Sequence, residues 1–263
     1  MRKPFPGVWG ALLLLVLFAV GQAGLAFLFA RWFLDHLVLF IGLVNVVVLG
    51  AICAAGYALA KEPPALGKGR PAGPGLMAAL TVTALGGAVA LGYLADLIAR
   101  VVPLPPEMAR LFRDIFDGPP AEAVFALVLV APATEELLFR GLILRGLEKR
   151  YGAWPALLVS STLFAVAHFN LGQAVPAFLA GLYLGWLYRS TGSLWWPMAA
   201  HALFNGVSLA LALAFPDTSS VPDTDAMPWP LAAAGAVVLA AGLLMTRKWA
   251  PLSPPRVSDT VAP

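Results

Sequence analysis

Long runs of apolar residues recur along this chain, and short polar or Pro- and Gly-rich segments separate them. Runs of about 17–25 apolar residues are long enough to cross the hydrocarbon core of a bilayer as α-helices. None of the runs shows the period-two alternation of a barrel strand. The pattern therefore predicts an all-α, polytopic membrane protein with about eight transmembrane helices. The predicted spans are Val8–Ala30, Leu37–Ala60, Leu76–Ala99, Ala121–Leu144, Ala153–Phe169, Gln173–Tyr188, Leu194–Phe215 and Trp229–Thr246.

The composition agrees with a chain that uses lipid as its solvent. Hydrophobic residues make up 60% of the 263 positions and charged residues 12%, whereas a soluble domain is about 45–50% apolar and 25% charged. A soluble fold of this length has too little interior to bury so much apolar surface, which excludes a cytosolic enzyme and a disordered regulator. The net charge of +3 is too small to indicate a nucleic-acid partner. The single cysteine, Cys53, lies in an apolar run, where we expect a small buried side chain.

Basic residues are distributed unevenly between the two sides of the predicted membrane. With the N-terminus assigned to the cytoplasm, four of the 17 Lys and Arg residues fall in outside segments, namely Arg31, Arg100, Arg110 and Arg113. Because basic residues favour the cytoplasmic side, both termini are predicted to be cytoplasmic. The abundance of Ala, Leu, Gly and Pro is typical of a GC-rich prokaryotic genome, so we expect a multi-pass protein of a prokaryotic plasma (inner) membrane.

The chain is expected to form one integral-membrane domain over residues 1–249, with the chemistry-bearing core at about residues 121–215. Residues 250–263 are predicted to be a disordered cytoplasmic tail. The segment Pro103–Pro120 interleaves apolar and charged residues, a pattern that fits an amphipathic helix at the membrane surface and fits a surface loop equally well.

Ionisable and amide side chains interrupt three of the predicted spans. A charge at the bilayer centre costs at least about 2.5–3.5 kcal/mol, so each such residue needs a physical reason. Glu136 and Arg140 are one helical turn apart and can form an ion pair, whereas Glu135 points about 100° away around the helix and has no partner within it. In the seventh span, His201 and Asn205 project from one helical face. The full set is Glu135, Glu136, Arg140, His168, His201 and Asn205, and Phe164 lies one helical turn before His168.

Such a set is suited to hydrolysis by activated water. A carboxylate in a low-dielectric cavity is a stronger base than in water, and an imidazole can orient the same water molecule. A second imidazole and an amide can donate hydrogen bonds to a developing oxyanion. Two other interpretations stay open on these residues alone. One is a proton- or ion-coupled transporter that uses buried ionisable groups, and the other is a non-catalytic membrane scaffold or immunity protein.

The order and spacing of these residues resemble a known family. Glu135-Glu136-x-x-x-Arg140, Phe164-x-x-x-His168 and His201-x-x-x-Asn205 occur in three separate spans. They resemble the three motifs of the CPBP (CAAX protease and bacteriocin-processing, or Abi) intramembrane proteases, which include the Ras-converting type of CAAX prenyl endopeptidase. The resemblance implies a glutamic endopeptidase with its active site in a cavity among the fourth, fifth and seventh spans, and CAAX-type processing of C-termini is one activity of such enzymes.

The resemblance also implies a role for each motif residue. Glu135 and His168 would bind and activate the water. His201 and Asn205 would stabilise the oxyanion of the tetrahedral intermediate. The remaining motif residues would organise the site, and they are Glu136, Arg140 and Phe164.

No cofactor is expected, because the chain contains neither His-Glu-x-x-His nor a cysteine cluster. The alternative is a zinc ion held by Glu135, His168 and His201 with a water in the fourth position. The expected partners are a peptide or protein substrate, prenylated or not, and membrane lipid, with no nucleic acid; the oligomeric state is left open. One difficulty concerns depth. Counted from the predicted inner ends of their spans, Glu135 lies at about 15 Å and His168 at about 20–23 Å, so the fifth helix would have to tilt or begin late.

Overall fold

The fold is built from helices alone throughout the part of the chain that the structure, a computed structural model, describes. The described residues are 4–29, 36–66, 73–215 and 227–250. They form nine helices and no strand, which confirms the predicted all-α class. The helices are α1 (Val8–Leu28), α2 (Leu37–Ala60), α3 (Pro74–Val101), α4 (Pro106–Asp117), α5 (residues 120–151), α6 (Ala153–Val166), α7 (Leu171–Thr191), α8 (Trp195–Ala214) and α9 (Trp229–Trp249).

Six of the described helices are long and apolar enough to cross a membrane, namely α1, α2, α3, α7, α8 and α9. They coincide with six predicted spans to within a few residues at each end, although Ala30 lies outside the described residues. The predicted count of eight is not confirmed. The predicted span Ala153–Phe169 is the 14-residue helix α6, which at about 21 Å is shorter than the hydrocarbon core of about 30 Å. The predicted span Ala121–Leu144 lies inside α5, which is not uniformly α-helical.

The predictions for the amphipathic segment and for the C-terminal tail have different outcomes. The amphipathic segment is a helix, α4, which buries Ala109 and Ile115, so the helical interpretation of this segment is the one observed. The predicted tail at residues 250–263 lies outside the described residues except for Ala250.

Helix α5 alternates between two helical forms. Its α-helical sections are Pro120–Ala123, Ala131–Glu136 and Arg145–Tyr151, and its π-helical sections are Val124–Val130 and Leu137–Leu144. Pro132 follows the first π-helical section, and proline loosens a helix because it lacks an N–H and its ring crowds the preceding turn. π-Helical turns are rare and occur frequently at functional sites. Both motif carboxylates lie in the short α-helical section between the two π-helical ones.

Polar contacts join several helix ends at one face of the bundle, which we call the basic face because Arg145, Lys149 and Arg189 lie there. Arg145 Nη2 lies 2.6 Å from a carboxylate oxygen of Glu62, and Lys149 pairs with the same carboxylate. Arg189 Nε donates to Glu148 at 2.9 Å. The ends of α2, α5 and α7 therefore meet at this face. The side of the membrane that this face occupies stays a prediction.

The depth difficulty disappears because α5 is longer than predicted. It continues past Leu144 to Tyr151, and α6 begins immediately afterwards at Ala153. Glu135 lies 16 residues before Tyr151, and His168 lies 15 residues after Ala153. The similar separations from this corner remove the need for a tilted or late-starting α6.

Candidate active site

A buried ionic cluster joins α5, α7 and α8. The Glu136 side chain is 0% exposed and that of Arg140 is 1% exposed. Arg140 Nη1 donates to Glu136 Oε1 at 2.8 Å, and its Nη2 donates to the backbone oxygen of Gly181 on α7 at 3.2 Å. Nδ1 of His201, on α8, lies 2.9 Å from the same Glu136 oxygen. The predicted pairing of Glu136 with Arg140 is present, and His201 extends it to a second helix.

The ring of Phe164, near the end of α6, holds both imidazoles beside this cluster. Arg140 Cζ lies over the ring, 4.3 Å from its centre. The rings of His168 and His201 both meet it edge to face, with centres 5.0 Å and 5.7 Å away. Phe139 of α5 packs against it in the same manner at 5.2 Å. One phenyl ring therefore links the three helices that carry the motif residues.

Hydrogen bonds determine which ring nitrogen of each histidine carries a proton. His168 Nδ1 lies 2.8 Å from the backbone oxygen of Phe164. A carbonyl oxygen can only accept, so this Nδ1 is the donor and Nε2 of a neutral His168 has a free lone pair. His201 Nδ1 faces the Glu136 carboxylate and is likewise the donor. Nε2 of His201 can therefore donate a hydrogen bond only when the ring carries both protons.

The backbone turn that follows α6 fixes the position of His168. Phe169 adopts the left-handed conformation with φ of 55°. Asn170 Nδ2 donates to the His168 backbone oxygen at 2.9 Å and to Gln173 Oε1 at 2.8 Å. Asn170 Oδ1 accepts from the Gln173 backbone N–H at 2.8 Å and so caps the start of α7. The sequence analysis missed Asn170, although Asn followed three residues later by Gln resembles a capping box.

Glu135 and Asn205 stand apart from this cluster. Glu135 is half-buried, and its carboxylate has no hydrogen-bond or ion-pair partner among the described residues. Asn205 Nδ2 donates at 2.8 Å to the backbone oxygen of Leu127 on α5. The side chains in mutual contact are thus Glu136, Arg140, Phe164, His168 and His201.

Two further side chains donate hydrogen bonds to backbone carbonyls of α5, and the sequence analysis missed both. The Tyr57 hydroxyl, on α2, donates to the Leu137 carbonyl at 2.9 Å. The Ser160 hydroxyl, on α6, donates to the Phe139 carbonyl at 2.9 Å. Single hydroxyls are common in membrane helices, so no pattern in the sequence distinguishes these two.

The donor groups do not fit the zinc alternative. Within the described ranges, no three His, Cys, Asp or Glu side chains lie close enough together to hold a metal ion. Glu135, His168 and His201 are therefore not such a group. Metal dependence itself stays a prediction for experiment.

A cavity of about 100 Å³ lies between the end of α3, α4 and the start of α7. Phe112, Phe116 and small apolar residues line it together with Asn170 and Gln173. A smaller cavity lies at the basic face beside Tyr57. None of the candidate catalytic side chains lines either of these two cavities.

The segment that contains the motif residues matches a described family. Residues 118–207 match the family model for Type II CAAX prenyl endopeptidase Rce1-like proteins. This stretch is similar to that family, and we call it the Rce1-like segment. It confirms the resemblance predicted from the three motifs, and all seven candidate site residues lie within the Rce1-like segment.

Two curated relatives overlap with the chain. An Escherichia coli protein, "Uncharacterized 24.3 kDa protein", is 32% identical over 123 residues, which are 44% of this chain and 57% of that protein. The Bacillus subtilis (strain 168) protein "Putative membrane peptidase YdiL" is 27% identical over 99 residues, or 38% of this chain and 40% of that protein. The chain thus spans roughly half the length of the relatives it matches. No solved structure matches. The six apolar helices support an integral membrane protein.

Proposed function

We propose that this protein is an intramembrane glutamic endopeptidase that hydrolyses a peptide bond with water activated by Glu135 and His168. The observation that carries the proposal is the contact of three motif side chains with the ring of Phe164, namely Arg140 of α5, His168 after α6 and His201 of α8. Polar side chains are costly in a membrane helix, and ionisable groups there mark functional sites by default.

Glu135 is the better base of the two adjacent carboxylates. One oxygen of Glu136 already accepts hydrogen bonds from Arg140 and His201, and the side chain is fully buried. Glu135 is half-buried and unpaired among the described residues, so its oxygens can accept a proton from water. Glu136 instead holds Arg140 and His201 in place.

His168 orients the attacking water. Its Nδ1–H is held by the Phe164 carbonyl, which leaves the Nε2 lone pair to accept a hydrogen bond from the water. With Glu135 taking one proton and His168 holding the other, the water oxygen attacks the carbonyl carbon of the peptide bond. The proton on Glu135 then passes to the leaving nitrogen as the C–N bond breaks.

His201 and Asn205 stabilise the oxyanion. A His201 ring that carries both protons can donate Nδ1–H to Glu136 and Nε2–H to the oxyanion. Asn205 has two amide protons and uses one of them on Leu127, so the second is free for the same oxyanion. Arg140 and Phe164 act through their neighbours, because they hold Glu136 and the two imidazoles in place.

The proposed substrate is a peptide or a protein segment. The specific reaction we propose is CAAX-type cleavage near a C-terminus, which is prenylated or not. The positive-inside rule supports a cytoplasmic basic face with both termini on that side. The membrane we propose is a prokaryotic plasma membrane, whose lipid surrounds the protein. No metal and no other cofactor is required for the steps above.

Purified protein in proteoliposomes tests this function directly. We would offer a library of C-terminal peptides in matched prenylated and unprenylated forms and identify products by mass spectrometry. Cleavage that Glu135→Gln abolishes supports the peptidase, and the preference between the matched forms identifies the substrate class. An intact library, together with Glu135-dependent ion flux, would instead favour the transporter, and an intact library without flux would favour the scaffold.

A further inference from the structure

A backbone hydrogen-bond acceptor in α5 loses its donor at Pro132. In the π-helical section, the Ala131 N–H donates to the Ala126 carbonyl, five residues earlier. The next bond in this register would run from residue 132 to the Leu127 carbonyl. Residue 132 is proline, which has no N–H. The Leu127 carbonyl therefore has no π-helical partner from its own helix.

Asn205 supplies the missing donor from another helix. Its Nδ2 lies 2.8 Å from the Leu127 oxygen, within the normal range for an N–H···O bond. An unpaired backbone carbonyl inside a membrane protein is costly, and side chains of neighbouring helices commonly satisfy the groups that a proline frees. The Asn205 amide thus takes the place of the amide that Pro132 lacks.

The bond lies where it can control the geometry of the proposed catalytic base. Pro132 belongs to the α-helical section Ala131–Glu136, three residues before Glu135. Thr134 Oγ1 ties the same turn together by donating to the Val130 carbonyl at 2.9 Å. A change of register between the π-helical and α-helical sections would rotate Glu135 about the helix axis.

We propose that Asn205 is a positioning residue that replaces the backbone amide of Pro132 and so fixes the register in which α5 presents Glu135. This role uses one amide proton and is separate from oxyanion stabilisation by the other. Its catalytic consequence rests on the proposed function, whereas the pairing with Leu127 does not.

A double-mutant cycle between Asn205→Ala and Pro132→Ala tests the proposal, because Pro132→Ala restores a backbone N–H at the missing position. The melting temperature in detergent and the kcat and KM for a cleaved peptide are measured for all four proteins. Asn205→Ala should lower both the melting temperature and kcat when Pro132 is present. With Pro132→Ala, we expect less than half of that fall in melting temperature and a kcat loss about tenfold smaller, as for residues that share one interaction.

The outcomes separate this proposal from the proposed function. Equal effects of Asn205→Ala in both backgrounds overturn the pairing. Coupling in the melting temperature with an unchanged kcat loss overturns the positioning role and leaves only a structural bond. A wild-type protein that cleaves no peptide defeats the proposed function, and the melting-temperature cycle then still supports or overturns the pairing.

Further variants serve as a control, a replacement and an independent test. Ser160→Ala removes a different donor to α5, and we expect its effect to be the same with Pro132 or with Pro132→Ala. If Pro132→Ala does not fold, Pro132→Ser restores the same amide and takes its place in the cycle. Asn205→Asp keeps the shape of the side chain but offers the Leu127 carbonyl a carboxylate, so a melting temperature equal to that of wild type would overturn the proposal.

Discussion

Nδ1 of His201 lies 2.9 Å from Oε1 of Glu136, the same oxygen that receives the Arg140 guanidinium. This contact distinguishes Glu136 from its neighbour Glu135, and the two carboxylates therefore have different roles. Glu136 is buried and committed to the protein, whereas Glu135 is half-buried and uncommitted among the described residues. The predictions below depend on this separation.

Replacing Glu135 by Gln should abolish activity and leave the fold intact. Removal of a general base costs about 10²–10⁴-fold in rate. Because no described residue pairs with Glu135, the free energy of unfolding should change by less than about 0.5 kcal/mol. Steady-state kinetics in proteoliposomes and thermal unfolding in detergent check the two halves. A variant with wild-type kcat would remove Glu135 from the mechanism.

Replacing Glu136 by Gln should instead destabilise the protein. The change leaves Arg140 buried without its counter-ion, and breaking a buried pair from one side costs about 3–5 kcal/mol. The paired change Glu136→Leu with Arg140→Met removes both charges and should recover much of that loss while activity stays absent. Denaturant unfolding of the wild-type protein and the two variants tests this order. A Glu136→Gln protein as stable as wild type would contradict it.

Replacing Phe164 by Leu should impair catalysis more than folding. Its ring contacts both imidazoles, and each aromatic pair contributes about 0.5–1.5 kcal/mol beyond area burial. We expect kcat to fall by more than about tenfold while KM changes little, because the imidazoles lose their common support. Val166→Ala on the same helix, at a half-exposed side chain, is the matched control and should keep wild-type kcat. Equal kinetics for the two variants would refute this role of Phe164.

Much of this arrangement follows from the sequence, and the remainder depends on tertiary contacts. Apolar runs located six helices because their length alone meets the bilayer requirement, and the spacing of Glu136 and Arg140 predicted their pairing. The π-helical sections of α5 were not predicted, and two of their carbonyls, at Leu127 and Leu137, accept hydrogen bonds from side chains of other helices. The end of α6 at Val166 was also not predicted. The turn that follows contains Phe169 in the left-handed conformation, and the hydrophobic pattern of the sequence does not indicate such a turn.

Replacing Gly141 by Ala should destabilise the protein by disturbing the hydrogen bond between Tyr57 and α5. An added Cβ at Gly141 would overlap the Tyr57 hydroxyl, which donates to the Leu137 carbonyl. Overpacking of this kind costs about 1–3 kcal/mol, and we expect a matching loss of stability. Gly50→Ala on α2 meets nothing within 4 Å and should be neutral. Thermal unfolding of both variants decides, and equal melting temperatures would contradict the expected overlap.

Removal of metal should leave the peptidase unchanged. The described donors do not form a three-ligand group, and the proposed steps use side chains alone. Exhaustive dialysis against EDTA should preserve kcat, and elemental analysis of the active protein should find zinc far below one equivalent. Activity that disappears with EDTA and returns with zinc would require the alternative set of Glu135, His168 and His201.

The most direct measurement compares the peptides in membranes of cells that carry the wild-type protein, Glu135→Ala or Val166→Ala at matched levels. The account predicts new C-termini, generated by cleavage of membrane-associated peptides, in the wild-type and Val166→Ala samples and their absence in the Glu135→Ala sample. Identical peptide profiles in all three samples would contradict the claim that Glu135 activates water to cut a peptide bond within the membrane.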